Sequence, residues 1–323
     1  MIENQKYWGT QANLKHLLED IWCARRPATV KMYCYAIRKF LSFCTIFGHE
    51  IDLPVSCNEA ASYISFVRQN FGTRGAVSAA INALKWLHNF VQGINQYNDP
   101  LNDKMLKLVV DSALRNLPKV RRSKTPLPAD LISSIVSEGL KADSLVLVRD
   151  CLIVSLAYVL LFRHDEIAHI SCNHLSLISG GVSIWLPSCK TDVYKCGNTA
   201  LLSKGDVFSL LRKYMHLASL QMGVPHFLFG PIVRRGDKWV LQNRKLSYNT
   251  FRKILRTLLT KFGHNPDQYG FHSCRSGGAS SLAPHVTRAE LQSAGRWKDS
   301  RSLTQYVKIS DKRRLEFSQV LSG

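Results

Sequence analysis

The sequence predicts a mainly α-helical chain with a small antiparallel β-sheet, divided into an all-helical unit and an α+β domain. Three observations carry that reading. Apolar residues recur at helical spacing through most of the 323 residues. The period shifts to two around Ser179-Gly-Gly181, as a hairpin requires. Between the halves lies Leu117-Pro-Lys-Val-Arg-Arg-Ser-Lys-Thr-Pro-Leu-Pro128, three prolines and four cations in twelve residues, which reads as a stiff, extended connector. The division is therefore residues 1–117, a basic linker over 118–125, and a second domain over 126–323.

Residues 11–23 read as a short helix with Leu14, Leu17, Leu18 and Ile21 on one stripe. Thr29 is placed as N-cap of the next, whose face is Val30, Tyr33, Ile37, Phe40, Leu41 and Cys44, before Gly48 and Pro54 break it. Asn58 is placed as the cap of a third helix through Tyr63, Ile64 and Val67, ending near Gly72. A fourth begins near Ala76 with Val77, Ala80, Ile81, Leu84, Leu87 and Val91, and a shorter one covers roughly 103–114. Beyond the connector, helices are expected over 129–138 and 144–161. Leu175 and Leu177, then Val182, Ile184 and Leu186, alternate as a strand pair, and a third strand over 199–202 follows the polar loop 190–198. Helices return over 206–222, 247–262, 276–282, 287–294 and 303–307.

Composition narrows the partner. Lys and Arg number 43 against 23 Asp and Glu, a formal charge of +20, and 46 % hydrophobic residues suffice for packed cores. The first 125 residues hold 17 basic and 9 acidic side chains and the rest 26 and 14, so both halves are basic. Two basic folded halves suit a polyanion gripped from two sides, although solvated cationic faces give the same count. On the helical unit the candidates to meet phosphates are Arg25, Arg26, Lys31, Arg38, Lys39, Arg74 and Lys85; on the connector they are Lys119, Arg121, Arg122 and Lys124. No apolar run approaches the roughly 20 residues a membrane span needs. The start MIENQKYW lacks the pattern of a signal peptide, so a soluble protein acting where it is made is expected. Nine cysteines, an odd number with irregular spacing and no CxxC, are expected as free, mostly buried thiols rather than disulfides or metal ligands.

Four local patterns carry the chemistry. Arg163, with Glu166 three residues on, is expected to end a strongly apolar helix. Lys190 lies on the loop between two strands. His272 and Arg275 form an HxxR where a helix begins. Trp297, in Ala294-Gly-Arg-Trp, precedes Tyr306 by nine residues. Taken singly, each has a plain reading: a surface ion pair, a loop lysine, a helix cap, core aromatics.

In that order and spacing the set resembles the tyrosine recombinases, the family of the lambda-type integrases, Xer proteins and Cre. Arg163 and Glu166 match the first-arginine motif, with Phe162 where Gly or Leu is usual and His164-Asp165 near the usual Ser. Lys190 matches the hairpin lysine, His272 and Arg275 the HxxR, Trp297 the position held by His or Trp, and Tyr306 the nucleophile. The layout matches too, a helical core-binding domain followed by a catalytic domain. The resemblance implies double-stranded DNA as partner and a homotetramer acting on two DNA sites. It also implies a C-terminal tail (Leu315, Phe317, Val320, Leu321) that docks on its own domain or in a neighbouring protomer.

Chemistry supports the same roles. Breaking a DNA strand without metal needs positive charge at two phosphate oxygens, which Arg163 and Arg275 supply in fork geometry. Tyr306 ordinarily titrates near 10, and a cationic cluster favours its phenolate; attack forms a phosphotyrosyl link that conserves bond energy. No cofactor is then required, and the chain carries no GxxxxGK[ST] phosphate loop. By the resemblance Lys190 protonates the leaving 5′-oxygen, while His272 serves as acid or base. Trp297 donates its indole N–H to the phosphate and Glu166 orients its neighbours. The alternatives are a DNA-binding protein of this fold that no longer cuts, and a topoisomerase-like monomer. The cysteine content, His164-Asp165-Glu166 and Cys189-Lys-Thr-Asp192 resemble eukaryotic mobile-element recombinases of the Crypton or DIRS type. That branch would act in the nucleus, and a bacterial one in the cytoplasm.

Overall fold

The structure, a computed structural model, describes residues 25–91, 97–118, 124–187, 197–303 and 319. The helix expected over 11–23 and most of that over 303–307 lie outside these residues, as do Lys119, Arg121, Arg122, Lys190, Tyr306 and the tail. Two compact units divide the chain, Met1–Arg122 and Ser123–Gly323.

In the first unit, helices α1 (Pro27–Phe47), α2 (Cys57–Phe71), α3 (Arg74–His88) and α4 (Lys104–Asn116) enclose one core. Phe40 meets Tyr63 edge-on at 5.1 Å, and the Tyr63 hydroxyl donates to the Ala36 carbonyl at 3.1 Å. The starts of three helices correct the sequence expectation. Helix α1 opens at Pro27, whose fixed φ and missing N–H suit the first turn, so Thr29 lies inside it. Helix α2 is capped by Ser56 in a reciprocal capping box with Glu59, rather than by Asn58. Thr73 caps α3, which starts at Arg74, two residues before the expected start at Ala76. Helix α3 ends in His88, whose Nε2 accepts from the Val55 N–H at 3.0 Å. Its Nδ1 therefore carries the proton towards Asp99 at 2.8 Å.

The second unit is built around α6 (Leu145–Val159), largely buried and apolar but for the Arg149–Asp150 ion pair. Against it pack α5 (Ala129–Lys141), α8 (Asp206–Leu217), α9 (Tyr248–Lys261) and α10 (His272–Leu282). A sheet of β1 (Leu175–Ile178), β2 (Gly181–Leu186) and β3 (Asn198–Ser203) is antiparallel throughout, in the order β1-β2-β3. Its alternation buries Val182, Ile184, Leu186, Ala200 and Leu202 on one face. Leu186 pairs with Asn198, which anchors both ends of the loop that carries Lys190.

Three features of this unit depart from expectation. Helix α6 stops at Val159, and Leu161 turns left-handed at φ 53°, so Arg163 does not end that helix. It sits instead at the N-terminus of a short helix, α7 (His164–Ala168). A second hairpin, β4 (Ile232–Arg235) with β5 (Lys238–Leu241), appears where no strand was expected, because its half-buried ends, Ile232, Val233 and Leu241, flank exposed and mostly charged residues without alternation. Helix α10 begins at His272, four residues before the expected start. Gly277 and Gly278 weaken its helical signal by about 1 kcal/mol each, yet they are needed. A Cβ on Gly277 would overlap the Leu127 carbonyl, and one on Gly278 the Tyr158 carbonyl. Helix α11 (Arg288–Ala294) and a 3-10 turn at Ser300–Leu303 complete the described chain.

The six described cysteines are free thiols, four of them buried; burial pushes those of Cys151 and Cys274 up to about 12. Among the described residues no helix is long and apolar enough to cross a membrane.

Candidate active site

The site forms where the end of α6, the start of α7, helix α10 and the turn after α11 meet. Glu166 sits beneath it at 3 % exposure. Its Oε2 accepts from the Arg163 backbone N–H and its Oε1 from Arg163 Nη1, both at 2.8 Å. These two bonds fix the arginine at the helix start, leaving its side chain partly open to solvent. The spacing of Arg163 and Glu166 is therefore an N-terminal capping arrangement as well as an ion pair.

Arg275 is wholly buried. Its Nη1 donates to the Leu161 carbonyl and its Nη2 to the Gly295 carbonyl. The guanidinium stacks 4.2 Å from the centroid of the Trp297 ring. Trp297 in turn packs on Gly295, where a Cβ would overlap the indole. The sequence expectation placed Arg275 and Trp297 directly at the phosphate. In this structure Arg275 is turned inward onto carbonyls, with Trp297 as its platform. Leu161, Ala279, Leu291, Trp297 and Leu303 form the small apolar cluster under this corner. Leu303 is fully buried there and anchors the chain three residues before Tyr306. His272, one turn before Arg275 on α10, is exposed.

The structure thus brings together Arg163, Glu166, Arg275 and Trp297, and adds Arg296, which the sequence reading passed over. Its side chain reaches Glu166 Oε2 at 3.3 Å.

The phage integrase family profile matches residues 130–313, more than half of the chain and all of this site. The chain belongs to the phage integrase family, the tyrosine recombinases. An integrase/recombinase xerD homolog of Selenomonas ruminantium is 23 % identical over 312 residues, covering 95 % of this chain and 87 % of its own. Among solved structures, XerH site-specific recombinase in a post-cleavage complex with difH substrate aligns with a TM-score of 0.64 and 16 % identity, over 91 % of this chain and 80 % of that one. The Tn1549 transposon integrase bound to transposon right end DNA aligns at 0.60 and 12 % identity, over 91 % and 99 %. A lambda integrase dimer bound to a core site aligns at 0.57 and 13 %, over 88 % and 89 %. The integrase fold is common to all three.

A second feature of this integrase domain escaped the sequence reading. Helix α9 buries Phe251, Ile254, Leu255, Leu258 and Leu259. Its opposite face, Asn249, Arg252, Lys253, Arg256, Thr257 and Thr260, lines a shallow groove of about 580 Å³. The periodicity that marks the buried face also marks this cationic one. Several of the cations singled out from the sequence are engaged within their own unit. Lys39 lies 3.5 Å from the Phe71 ring centroid, Arg74 Nε donates to the Leu117 carbonyl, and Lys85 reaches Asn102 Oδ1 at 3.3 Å. Lys124 donates to the Asp267 carbonyl at 2.6 Å. Arg25, Arg26, Lys31 and Arg38 are exposed.

Proposed function

We propose that this protein is a site-specific DNA recombinase that breaks and rejoins duplex DNA through a covalent 3′-phosphotyrosyl intermediate on Tyr306, exchanging strands through a Holliday junction for a mobile element. The observation that carries the proposal is the joining of the Arg163–Glu166 pair to the Arg275–Trp297 stack through Arg296. That arginine reaches both Glu166 and the Leu161 carbonyl that Arg275 holds, in a domain whose sequence runs on to Tyr306.

Tyr306 Oη attacks the phosphorus, giving its proton to His272. The bond from phosphorus to the 5′-oxygen breaks, and Lys190 protonates that oxygen. One phosphate ester replaces another, so the reverse attack by a 5′-hydroxyl rejoins the strand without ATP. Arg163, partly open and held by Glu166, meets the charge that builds on the phosphate. Arg275 adds its charge from just behind, where low polarity makes a fixed cation count for more. Duplex DNA is bound by the basic face of α9 together with Lys31, Arg38 and the connector. Four protomers act on two sites, joined through the tail after Tyr306. The nucleus is the compartment if the element is eukaryotic.

A nicked substrate that loses its 5′-product tests this. The full-length protein traps a covalent adduct, with or without EDTA. Tyr306→Phe binds the same DNA with unchanged affinity and forms none. Adduct from Tyr306→Phe would remove Tyr306 as nucleophile. Tight binding with no adduct from the parent protein would make it a DNA-binding protein only.

A further inference from the structure

Arg296 takes no part in the chemistry above, yet it is built into the site at a cost. Its backbone is left-handed at φ 55°, a conformation that costs a non-glycine residue about 1–2 kcal/mol. Of the three non-glycine residues with positive φ among those described, two are Arg296 and Leu161, and they touch. Backbone strain of this kind concentrates where function requires it.

The side chain, 6 % exposed, acts as a clasp. Nη1 donates to the Ala294 carbonyl at 3.0 Å, and Nη2 to the carbonyls of Leu160 and Leu161 at 3.1 Å each. Nη2 also meets Glu166 Oε2 at 3.3 Å, and the guanidinium lies 5.1 Å from the centroid of the Phe162 ring. One residue thereby joins the turn leading into Arg163 to the segment leading to Tyr306. The consequence for Glu166 is electrostatic. A carboxylate paired with Arg163 alone would neutralise much of the charge that Arg163 offers a substrate. Shared with a second guanidinium, the same carboxylate holds Arg163 in place and leaves the group net positive.

We infer that Arg296 is a positioning residue. It fixes Glu166, and through it Arg163, facing the phosphate, and couples that pair to the turn that carries Trp297. Lysine could not substitute, because a single ammonium lacks the fork that spans three carbonyls and a carboxylate.

The inference rests on the cleavage reading, and the test separates the two. Full-length Arg296→Gln and Arg163→Ala are compared with the parent protein on nicked DNA in single turnover, alongside DNA affinity. Arg296→Gln should keep its Kd within about threefold while adduct formation slows about 100-fold, the scale of a small misplacement of a reacting group. With an uncharged methylphosphonate at the scissile position there is less charge to neutralise. The deficits of both variants should then shrink together, to about tenfold or less. Equal loss on both substrates would make Arg296 a structural residue and overturn the inference. If the parent protein makes no adduct, the cleavage reading fails by itself, and thermal melting still decides the clasp. Arg296→Gln and Glu166→Gln should then be clearly non-additive in the double variant; simple additivity would show that the two are not coupled.

Discussion

The cations singled out on the helical unit and the arginines at the site of the second unit are placed in opposite ways. In the helical unit they lie on outward faces: Lys39 rests against the rings of Tyr35 and Phe71, and Lys85 touches Asn102. In the second unit Arg275 and Arg296 sit inside, held by carbonyls from the α6–α7 turn and from the chain after α11. A surface cation such as Lys85 keeps a single protein contact and its water, and it can be exchanged at little cost. An interior guanidinium owes its place to several chain segments at once. Removing it leaves carbonyls that neither water nor protein satisfies.

The sharpest break of that contrast is Arg275→Ala. Stranding the Gly295 carbonyl should destabilise the protein by about 1–3 kcal/mol, the Leu161 carbonyl keeping Arg296 Nη2 as its donor. Lys85→Gln should stay within about 0.5 kcal/mol. Denaturant unfolding of the two variants makes the comparison, and a mild Arg275→Ala would show that its burial contributes little.

Next in size is the salt dependence of DNA binding, which sharpens the surface side. Log K should fall by roughly 0.9 per phosphate neutralised for each tenfold rise in salt. Changing Arg252, Lys253 and Arg256 on α9 to Gln should flatten the slope by up to about 1.8 units, since Arg256 Nη1 is paired with Asp267 Oδ1 at 2.7 Å. Changing Lys119, Arg121, Arg122 and Lys124 together should flatten it by up to about 2.7 units, since Lys124 is engaged by the Asp267 carbonyl. Cognate and random DNA should respond alike, because phosphate contacts carry no direct sequence information. An unchanged slope for either set would make that set a solvated surface.

The smallest effect concerns His164, beside Arg163 and 4.5 Å from the Tyr248 ring. Burial holds its pKa below the ordinary 6.5, with Asp165 and Glu166 opposing. Below about pH 6.5 the unfolded chain therefore takes up a proton that the folded protein resists, so stability falls on acidification through that window. His164→Gln should remove this part of the decline between pH 7 and 5, as measured by Tm; an identical pH profile would reject it.

Much of the site was legible because its residues are chemically unusual where they stand. An HxxR at a helix start, an arginine three before a glutamate, and a tryptophan nine before a tyrosine survive as patterns without any fold. Helix faces were legible for the same reason, since burial imposes a period. Helix starts were less so. Pro27, Ser56 and Thr73 took positions that Thr29, Asn58 and Ala76 were expected to hold, because several nearby residues could each cap. The β4–β5 hairpin left no alternation to read, as Arg234, Arg235 and Lys238 are all exposed. Gly277 and Gly278 masked the start of α10, their small size serving contact with Leu127 and Tyr158 rather than helix propensity.

The sequence by itself determined the helical character of both halves, the β1–β2 hairpin, the basic character of each part and the ordered series Arg163, Lys190, His272, Arg275, Trp297, Tyr306. Each is local in the chain or follows from composition. Only the tertiary structure decided that Arg163 begins a helix, that Arg275 is buried against Trp297, and that Arg296 clasps Glu166. Those outcomes depend on a left-handed turn at Leu161 meeting another at Arg296, 135 residues away. No period or spacing records such a meeting, because the carbonyls that hold a buried guanidinium belong to the backbone and carry no side-chain signature.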